Sequence, residues 1–355
     1  MKNLVLTGGG TAGHVTPNLA LLEKLDKSEW NVSYIGSENG IEKQLISEQG
    51  ISYYPIKTGK MRRYFSWQNL LDPFLIIYGI VQAFFLLRRL QVDLVFSKGG
   101  FVAFPVVFAA WLRGIPVIAH ESDMTPGLAN RLCYPFVKKI CINFASGKKF
   151  YRDTSKVVVT GTPIRQALFH GKKENGLALC HFTAEKSCLL VIGGSLGAAS
   201  INRSVRDILP QLLVHFQIIH ICGKGNLDAH LQNTIGYRQF EYVHEDLADL
   251  FAAADVVISR AGANAVCEIL ALKKPHVFIP LSARISRGDQ IHNARYFMQQ
   301  QVSTVLDDDS LTPESLLTAV TQVYQNRPQI IAAIDALGVS SATDCILQLF
   351  STVLA

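Results

Sequence analysis

Short apolar runs alternate with longer, mixed stretches along the whole chain. In the first half the runs predict strands at 3–7, 31–35, 52–56, 93–97, 116–119, 139–143 and 156–159, with helices between them, for example at 16–27 and 39–48. In the second half they predict strands at 188–192, 217–221, 239–242, 255–258, 276–279 and 303–306, and helices near 198–213, 246–253, 263–271, 290–299 and 312–325. Several runs are Val, Ile and Leu without polar alternation, as expected of parallel strands buried on both faces. Strand–helix alternation predicts an α/β chain of open, doubly wound sheets. Ligands of such sheets bind outside the carboxyl ends of the strands.

Two strand-to-helix junctions are rich in glycine: Gly8-Gly9-Gly10-Thr11-Ala12-Gly13-His14 after the first strand, and Gly193-Gly194-Ser195-Leu196-Gly197-Ala198 after strand 188–192. Such turns bring bare backbone close to a ligand, and the helix start aims N–H groups at negative charge. Two of them, about one domain apart, predict two nucleotide-fold domains facing a cleft, suited to joining a phosphorylated donor to a second substrate. Proline breaks regular structure, so Gly161-Thr162-Pro163-Ile164-Arg165 marks the boundary. This gives an N-terminal domain at 1–163 and a C-terminal domain at 164–340. A closing helix within 341–355, apolar at Ile346, Leu347, Leu349, Phe350 and Val353, fits either domain and is assigned to the first.

Composition narrows the class. The 355 residues are 49% hydrophobic, with a mean hydropathy of +0.21. Seven scattered cysteines form no CxxC pair, which reads as reduced thiols in the cytoplasm, not a disulfide frame or zinc site. The first strand starts at Asn3, so no signal peptide is expected. Residues 1–165 carry a net charge of +9 and the remainder −3. The basic half suits nucleic acid, an anionic membrane or an acidic substrate, or is simply a solvated surface. There is no HExxH motif, and Asp307-Asp308-Asp309 reads as a solvated loop, so no metal is expected. The run from Phe74 to Leu87 is too short to span a bilayer, which needs about 20 apolar residues. It reads either as a buried helix or as a helix with one face on lipid, Arg62, Arg63, Arg88 and Arg89 meeting anionic headgroups.

Candidate chemistry gathers at predicted strand ends. Gly8, Gly10 and Gly13 satisfy GxGxxG, with Glu38 beyond the next strand, but the spacing recurs by chance and leaves the second glycine turn unexplained. His14 is placed to act as a general base, or merely to cap its helix. Ser97-Lys98-Gly99-Gly100-Phe101 and His120-Glu121-Ser122-Asp123, continuing to Asn130, are polar loops on the same edge as the first glycine turn and form a plausible acceptor site. In the second half, Glu268 lies on the helix opened by Arg260-Ala261-Gly262, where a carboxylate can accept from both hydroxyls of a ribose. Asp289 and Gln290 open the next helix and suit sugar hydroxyls. A leaving diphosphate would be met by helix N-termini, loop amides and Ser195.

In order, TGGGTAGH, SKGGFV, HESDMTPGLANR, GTPIR, GGSLGA, SRAGANAVCE and RGDQIHNA resemble the loops of the MurG family of UDP-N-acetylglucosamine:undecaprenyl-pyrophosphoryl-N-acetylmuramoyl-pentapeptide N-acetylglucosaminyltransferases. The resemblance runs from Leu4 to about Ala294. It implies the GT-B fold, two Rossmann-like domains facing a cleft. It implies inverting transfer of GlcNAc from UDP-GlcNAc to the C4 hydroxyl of MurNAc in lipid I, without metal or other cofactor. Arg165, Ser195, Ala263, Asn264, Ala265, Val266, Cys267, Glu268 and Gln290 match donor-binding positions, Val243 or His244 falls where the family has an apolar contact to uracil, and Thr11, Ala12 and Gly13 match the loop closing over the donor. His14 matches the base or acceptor-site histidine. Many members read HEQN where this chain reads HESD, so Asp123 stands in place of an asparagine and is a second candidate base. Lys98, Gly99, Gly100, His120, Glu121 and Asn130 fall on the acceptor side. The implied partners are UDP-GlcNAc, lipid I, an anionic membrane surface on the cytoplasmic face of the cell membrane and other cell-wall synthesis proteins, with no nucleic acid. The rival readings are a nucleotide-sugar 2-epimerase, a glycosyltransferase with another lipid acceptor, an NAD-dependent oxidoreductase and a catalytically silent sugar-nucleotide-binding protein.

Overall fold

The structure is a computed structural model that describes residues 1–59, 68–194 and 197–355, with side chains described from Asp72 onward in the second span. The first sheet contains β1 (Lys2–Thr7), β2 (Trp30–Ser37), β3 (Ser52–Ile56), β4 (Leu94–Ser97), β5 (Val117–Glu121), β6 (Lys139–Ile142) and β7 (Val157–Val159). Its helices are α1 (Thr16–Lys24), α2 (Ile41–Ser47), α3 (Gln68–Arg89), α4 (Ala103–Leu112) and α5 (Leu128–Cys133). The second sheet contains β8 (Ser187–Ile192), β9 (Phe216–Ile221), β10 (Tyr237–Phe240), β11 (Val256–Ser259), β12 (His276–Phe278) and β13 (Thr304–Val305). Its helices are α6 (Lys173–Cys180), α7 (Ala199–Asp207), α8 (Leu209–His215), α9 (Leu247–Ala253), α10 (Ala263–Ala271), α11 (Asp289–Gln299), α12 (Pro313–Gln325) and α13 (Arg327–Leu337); α14 (Thr343–Leu354) closes the chain.

Every strand pair is parallel. The strand orders are β3-β2-β1-β4-β5-β6-β7 and β10-β9-β8-β11-β12-β13. Each order reverses direction once, between β1 and β4 and between β8 and β11. These are topological switch points, where the loops at the carboxyl ends diverge and leave a crevice. The two glycine-rich turns follow β1 and β8, one strand of each switch pair.

Residue contacts divide the chain into Met1–Arg165 with Ser341–Ala355, and Gln166–Ser340. In the first unit both faces of the sheet are covered. Val5 of β1 joins Val95, Val106 and Ala110 in one core layer. Leu4 and Leu6 join Phe96, Ile118 and Phe350 in the other. Burial on both faces explains why these strands read as unbroken apolar runs. The closing helix α14 lies on this second layer, with Phe350 edge-on to Trp30 at 5.9 Å and tilted against Phe96 at 5.3 Å.

The pattern-based elements and the structure differ in two instructive places. The helix expected at 198–213 is two helices, broken at Ile208 (φ −108°, ψ 15°), just ahead of Pro210. The proline has no N–H, and its ring collides with the carbonyl four residues back, so one continuous helix cannot form. Helices α6 and α13 carry weak apolar periodicity and were not expected. Helix α3 resolves the ambiguity of the 74–87 run. Ala83 and Leu87 are buried against the sheet, yet Phe74 is 70%, Ile77 59% and Phe85 61% exposed, with Tyr78 and Val81 also outward. The helix is core on one face and apolar solvent-facing surface on the other. No helix among the described residues is long and apolar enough to cross a membrane. Arg62 and Arg63 lie outside the described residues.

Two histidines are buried in the second sheet. His220 Nε2–H donates to Asn202 Oδ1 at 3.0 Å and Nδ1 accepts from the Tyr237 hydroxyl at 2.8 Å. His276 Nδ1–H donates to the Lys274 carbonyl at 2.7 Å and Nε2 accepts from Ser303 Oγ at 2.6 Å. Both rings are therefore neutral. Burial, with the Arg206 charge beside it, holds His220 down to about 3, and burial holds His276 down to about 4. In the unfolded chain each takes up a proton near pH 6.5, so stability is full above that pH and falls below it. The expected slope is about 1.4 kcal/mol per pH unit for each ring. Urea unfolding of this unit should weaken steadily from pH 7 to 5, and His276→Gln, whose amide can replace both hydrogen bonds, should reduce the slope. A flat profile in both proteins would refute this account.

Candidate active site at the two switch points

At the first switch point two glycine loops meet backbone to backbone. Gly9 N–H donates to the Gly99 carbonyl at 3.3 Å, and Lys98 N–H to the Thr7 carbonyl at 2.9 Å. A Cβ on Gly100 would stand 2.1 Å from the Gly9 carbonyl oxygen, and φ is +84° at Gly100 and +87° at Gly99. No other residue fits there. The loop is also held from behind. Glu42, completely buried on α2, accepts from Gly10 N at 3.3 Å and from Ser37 N at 3.1 Å, and its carboxylate also takes the Ser37 hydroxyl. Gly9 and Gly10 thus spend their N–H groups inside the protein. Thr11 and Gly13 are exposed and Ala12 and His14 half-buried, in a short 3₁₀ turn. Thr11 Oγ1 lies 2.9 Å from His14 Nδ1, which fixes the imidazole on the loop.

The β5 loop supplies a second polar layer. The Lys98 side chain is buried, and its ammonium donates to His120 Nδ1 at 2.7 Å and to Ser122 Oγ at 2.5 Å. His120 Nε2–H donates to the Gly161 carbonyl at 2.8 Å. With one nitrogen donating and the other accepting, this ring is neutral; burial and then the Lys98 charge push its pKa well below the usual histidine value. Glu121 points inward and acts as a strut. It accepts from Asp123 N (3.1 Å), Gly127 N (2.8 Å) and Asn130 Nδ2 (2.9 Å). Burial, with the Asp123 charge adding, raises its pKa. Of the expected acceptor-side residues, Glu121, His120 and Asn130 therefore hold the loops in shape, while Asp123 is only half-buried. The linker that begins at Gly161 is pinned to the returning chain: Ile164 N donates to Ser341 Oγ at 3.0 Å and Ala342 N to the Thr162 carbonyl at 3.0 Å. Arg165 follows directly and is half-buried.

The second switch point repeats the device. A Cβ on Gly197 would lie 2.0 Å from the Cys222 carbonyl oxygen. Ser195 and Leu196 lie outside the described residues. Helices α7, α10 and α11 begin at Ala198, Gly262 and Gly288 with no side-chain cap, as do α6, α8, α9 and α13; α12 carries a complete capping box from Thr312 and Ser315. The uncapped starts leave backbone donors and the positive end of each helix dipole available to an anion. Helix α10 sorts the expected donor-binding stretch by face. Ala263, Val266 and Cys267 are buried, so side-chain contact with a ligand falls to Asn264, Ala265 and Glu268. Gln290 Oε1 accepts from Leu281 N at 3.0 Å, an anchor that orients its amide N–H groups. Val243 is half-buried on the loop after β10.

A charged network that the sequence pattern missed ties these loops together. Arg260 pairs with Asp308 at 2.8 Å and bonds to Ser200 Oγ at 2.9 Å and the Ile279 carbonyl at 3.0 Å, while Ser200 Oγ donates to Asp308 at 2.5 Å. Asp309 takes the Ser282 hydroxyl at 2.9 Å. Within Asp307-Asp308-Asp309, Asp307 and Asp309 are exposed, as expected of a solvated loop, whereas the Asp308 side chain turns inward as a strut beneath Arg260. Its signal was visible only as charge, because the partners lie far apart in sequence. Glu42 escaped for the same reason. No group of three or more His, Cys, Asp or Glu among the described residues is placed to hold a metal ion.

Comparison with known proteins fits this geometry. Residues 4–142 match the glycosyltransferase family 28 N-terminal domain and residues 188–349 the glycosyltransferase family 28 C-terminal domain. The chain is 57% identical over 347 residues to the UDP-N-acetylglucosamine--N-acetylmuramyl-(pentapeptide) pyrophosphoryl-undecaprenol N-acetylglucosamine transferase of Legionella pneumophila strain Paris, covering 98% of this chain and 96% of that protein. It is 54% identical to the enzyme of the same name from Lachnospira eligens, over 98% of each. The crystal structure of Acinetobacter baumannii MurG superposes with a TM-score of 0.77 at 26% identity, over 99% of this chain and all of that one. Two parallel Rossmann-like sheets, glycine loops at both switch points and these matches across nearly the full length establish that the chain belongs to glycosyltransferase family 28.

Proposed function

We propose that this chain transfers GlcNAc from UDP-GlcNAc to the C4 hydroxyl of MurNAc in lipid I, with inversion and without a metal, forming lipid II for peptidoglycan. The observation that carries the reading is the end-to-end identity of 57% and 54% to transferases of that name. It is supported by the two switch-point sites that the same residues build. The division of labour follows the loops, with the domain of residues 1–163 taking the acceptor and that of 164–340 the donor. The uncapped starts of α7 and α10 meet the departing UDP, Glu268 takes the ribose hydroxyls and Gln290 the sugar. In the base role, His14 takes up the acceptor hydroxyl proton as that oxygen attacks C1, with Thr11 Oγ1, 2.9 Å from Nδ1, orienting the ring. Asp123 is the second candidate, its carboxylate lying on the neighbouring acceptor-side loop.

The same reading places the protein on the cytoplasmic face of the cell membrane as a peripheral enzyme. Phe74, Ile77, Tyr78, Val81 and Phe85 form the outer face of α3. Cations flank it: Lys57 sits over the Tyr78 ring at 5.9 Å, Arg89 over Tyr54 at 5.4 Å and Arg113 over Phe84 at 4.9 Å. Aromatic and aliphatic side chains enter the headgroup boundary while cations meet anionic lipid.

Radiolabelled GlcNAc transfer from UDP-GlcNAc to a lipid I analogue tests the activity. His14→Ala should lower turnover by about 10²–10⁴-fold; if Asp123→Ala does so and His14→Ala does not, the roles exchange, and if neither matters both assignments fail. Glu268→Ala should weaken UDP binding in calorimetry, because charge-assisted hydrogen bonds worth about 1.5–3 kcal/mol each are lost. Unchanged affinity in the folded variant removes Glu268 from the site. In liposome flotation, binding should weaken with added salt and with neutral lipid without vanishing, since apolar insertion is not screened. Replacing Phe74, Ile77 and Phe85 by Ser should weaken it and leave only the salt-sensitive part; equal recovery would leave α3 as core alone.

A further inference from the structure

Beside the first switch point lies a cavity of about 210 Å³, lined by Gly59, Ile76, Phe101, Phe104, Leu128 and Leu132, with Ala129 between the two leucines. None of these side chains forms hydrogen bonds. An apolar cavity of about 150 Å³ stays dry and accepts a six-carbon ring, so this one has room for a branched hydrocarbon segment of similar or greater size. Its position sets the chemistry of the occupant. Phe101 follows Gly99-Gly100 directly, and its ring lies over Gly10: a Cβ built there would be 2.8 Å from Phe101 Cε1. The Phe101 carbonyl is fixed by the Thr58 hydroxyl at 3.2 Å. One side chain thus borders both the polar glycine loops and the apolar cavity. Leu128 and Leu132 are partly solvent-exposed on α5, and Ile76 stands on the helix whose outer face carries Phe74 and Ile77. The cavity therefore lies between the glycine loops and the exposed apolar face of α3.

We propose that this cavity binds the first isoprene units of a polyprenyl pyrophosphate, those adjoining the pyrophosphate, so that the enzyme reads the acceptor's lipid as well as its sugar. The inference rests on the acceptor reading given above and adds to it a lipid subsite. A ligand that ends in an anionic head at the glycine loops and continues as branched hydrocarbon satisfies both surfaces that Phe101 joins. A tail lying wholly in the bilayer would leave the apolar side chains that line this cavity facing solvent beside the acceptor loops, at a hydrophobic cost.

Two measurements test it. In calorimetry without detergent, geranyl pyrophosphate should bind the intact enzyme at least about tenfold more tightly than methyl pyrophosphate, since even two buried methylenes supply that factor. Leu128→Asp and Leu132→Asp should each erase that preference. In transfer assays, kcat/KM for an acceptor analogue with a two-isoprene tail should exceed that for a methyl tail, and tails longer than the cavity should add little. The ratio between tails is not moved by partial loss of folded protein, so poor folding of a variant cannot imitate the result. Equal binding of the two pyrophosphates, or a preference that survives both substitutions, overturns the proposal. Tail-dependent binding without any sugar transfer would leave the subsite standing and overturn the transferase reading instead.

Discussion

At the switch point between β1 and β4, two segments of main chain approach until the Gly9 carbonyl fills the space that a side chain at residue 100 would need. The rest of the first site depends on that contact. It fixes the distance between the loop carrying His14 and the loop carrying Lys98. It also closes the first turn, so that the N–H groups of Gly9 and Gly10 are used within the protein while Thr11 and Gly13 stand exposed. The second unit uses the same constraint at Gly197 against the Cys222 carbonyl. Glycine is required in both places by the nearness of another backbone, which is more restrictive than a turn alone. Arg260 and Asp308 then bind the start of α7 to the ends of β11 and β13.

Charge is arranged so that these loops hold their shape without a ligand. Three carboxylates face inward at the edges of the sites: Glu42 beneath the first turn, Glu121 beneath the β5 loop and Asp308 beneath Arg260. Each accepts two or more hydrogen bonds from loop backbone, hydroxyl, amide or guanidinium groups. A buried carboxylate is costly unless it is satisfied in this way. Removing any one would leave donors unpaired and the loop free to relax. The neutral His120 belongs to the same scheme, because only the uncharged ring can accept from Lys98 while donating to Gly161. The linker at Gly161 thus shares one hydrogen-bonded chain with the acceptor-side loops, and Gly161 itself sits at φ +82°, where glycine is favoured.

Much of this was legible in the sequence. Unbroken apolar runs located the strands of both sheets because parallel strands covered by helices on both faces have no polar side to show, and β1 divides Val5 from Leu4 and Leu6 between two core layers. Glycine spacing located both switch points. What escaped depends on tertiary partners. The break at Pro210 is local chemistry that helical periodicity concealed. Glu42 and Asp308 read as ordinary surface acids, since nothing in the sequence says that Gly10 or Arg260 will fold onto them. The buried half of Ala263–Glu268 was likewise hidden, because six residues that match as a block divide between two faces of one helix.

Helix α3 shows why an apolar segment need not be explained by one role. Its inner face completes the core through Ala83 and Leu87, and its outer face remains as apolar as the inner one. A helix required only for packing would gain solubility from polar residues outside, at no cost to the core. The cations beside it lie over aromatic rings at Lys57, Arg89 and Arg113, where their stems cover apolar surface and their charged ends stay wet. Such an arrangement favours a boundary between hydrocarbon and anionic headgroups over either bulk phase. On the proposed docking of this face at a membrane, the acceptor sugar needs to move only from the headgroup layer to the carboxyl edge of the sheet that α3 itself helps to cover.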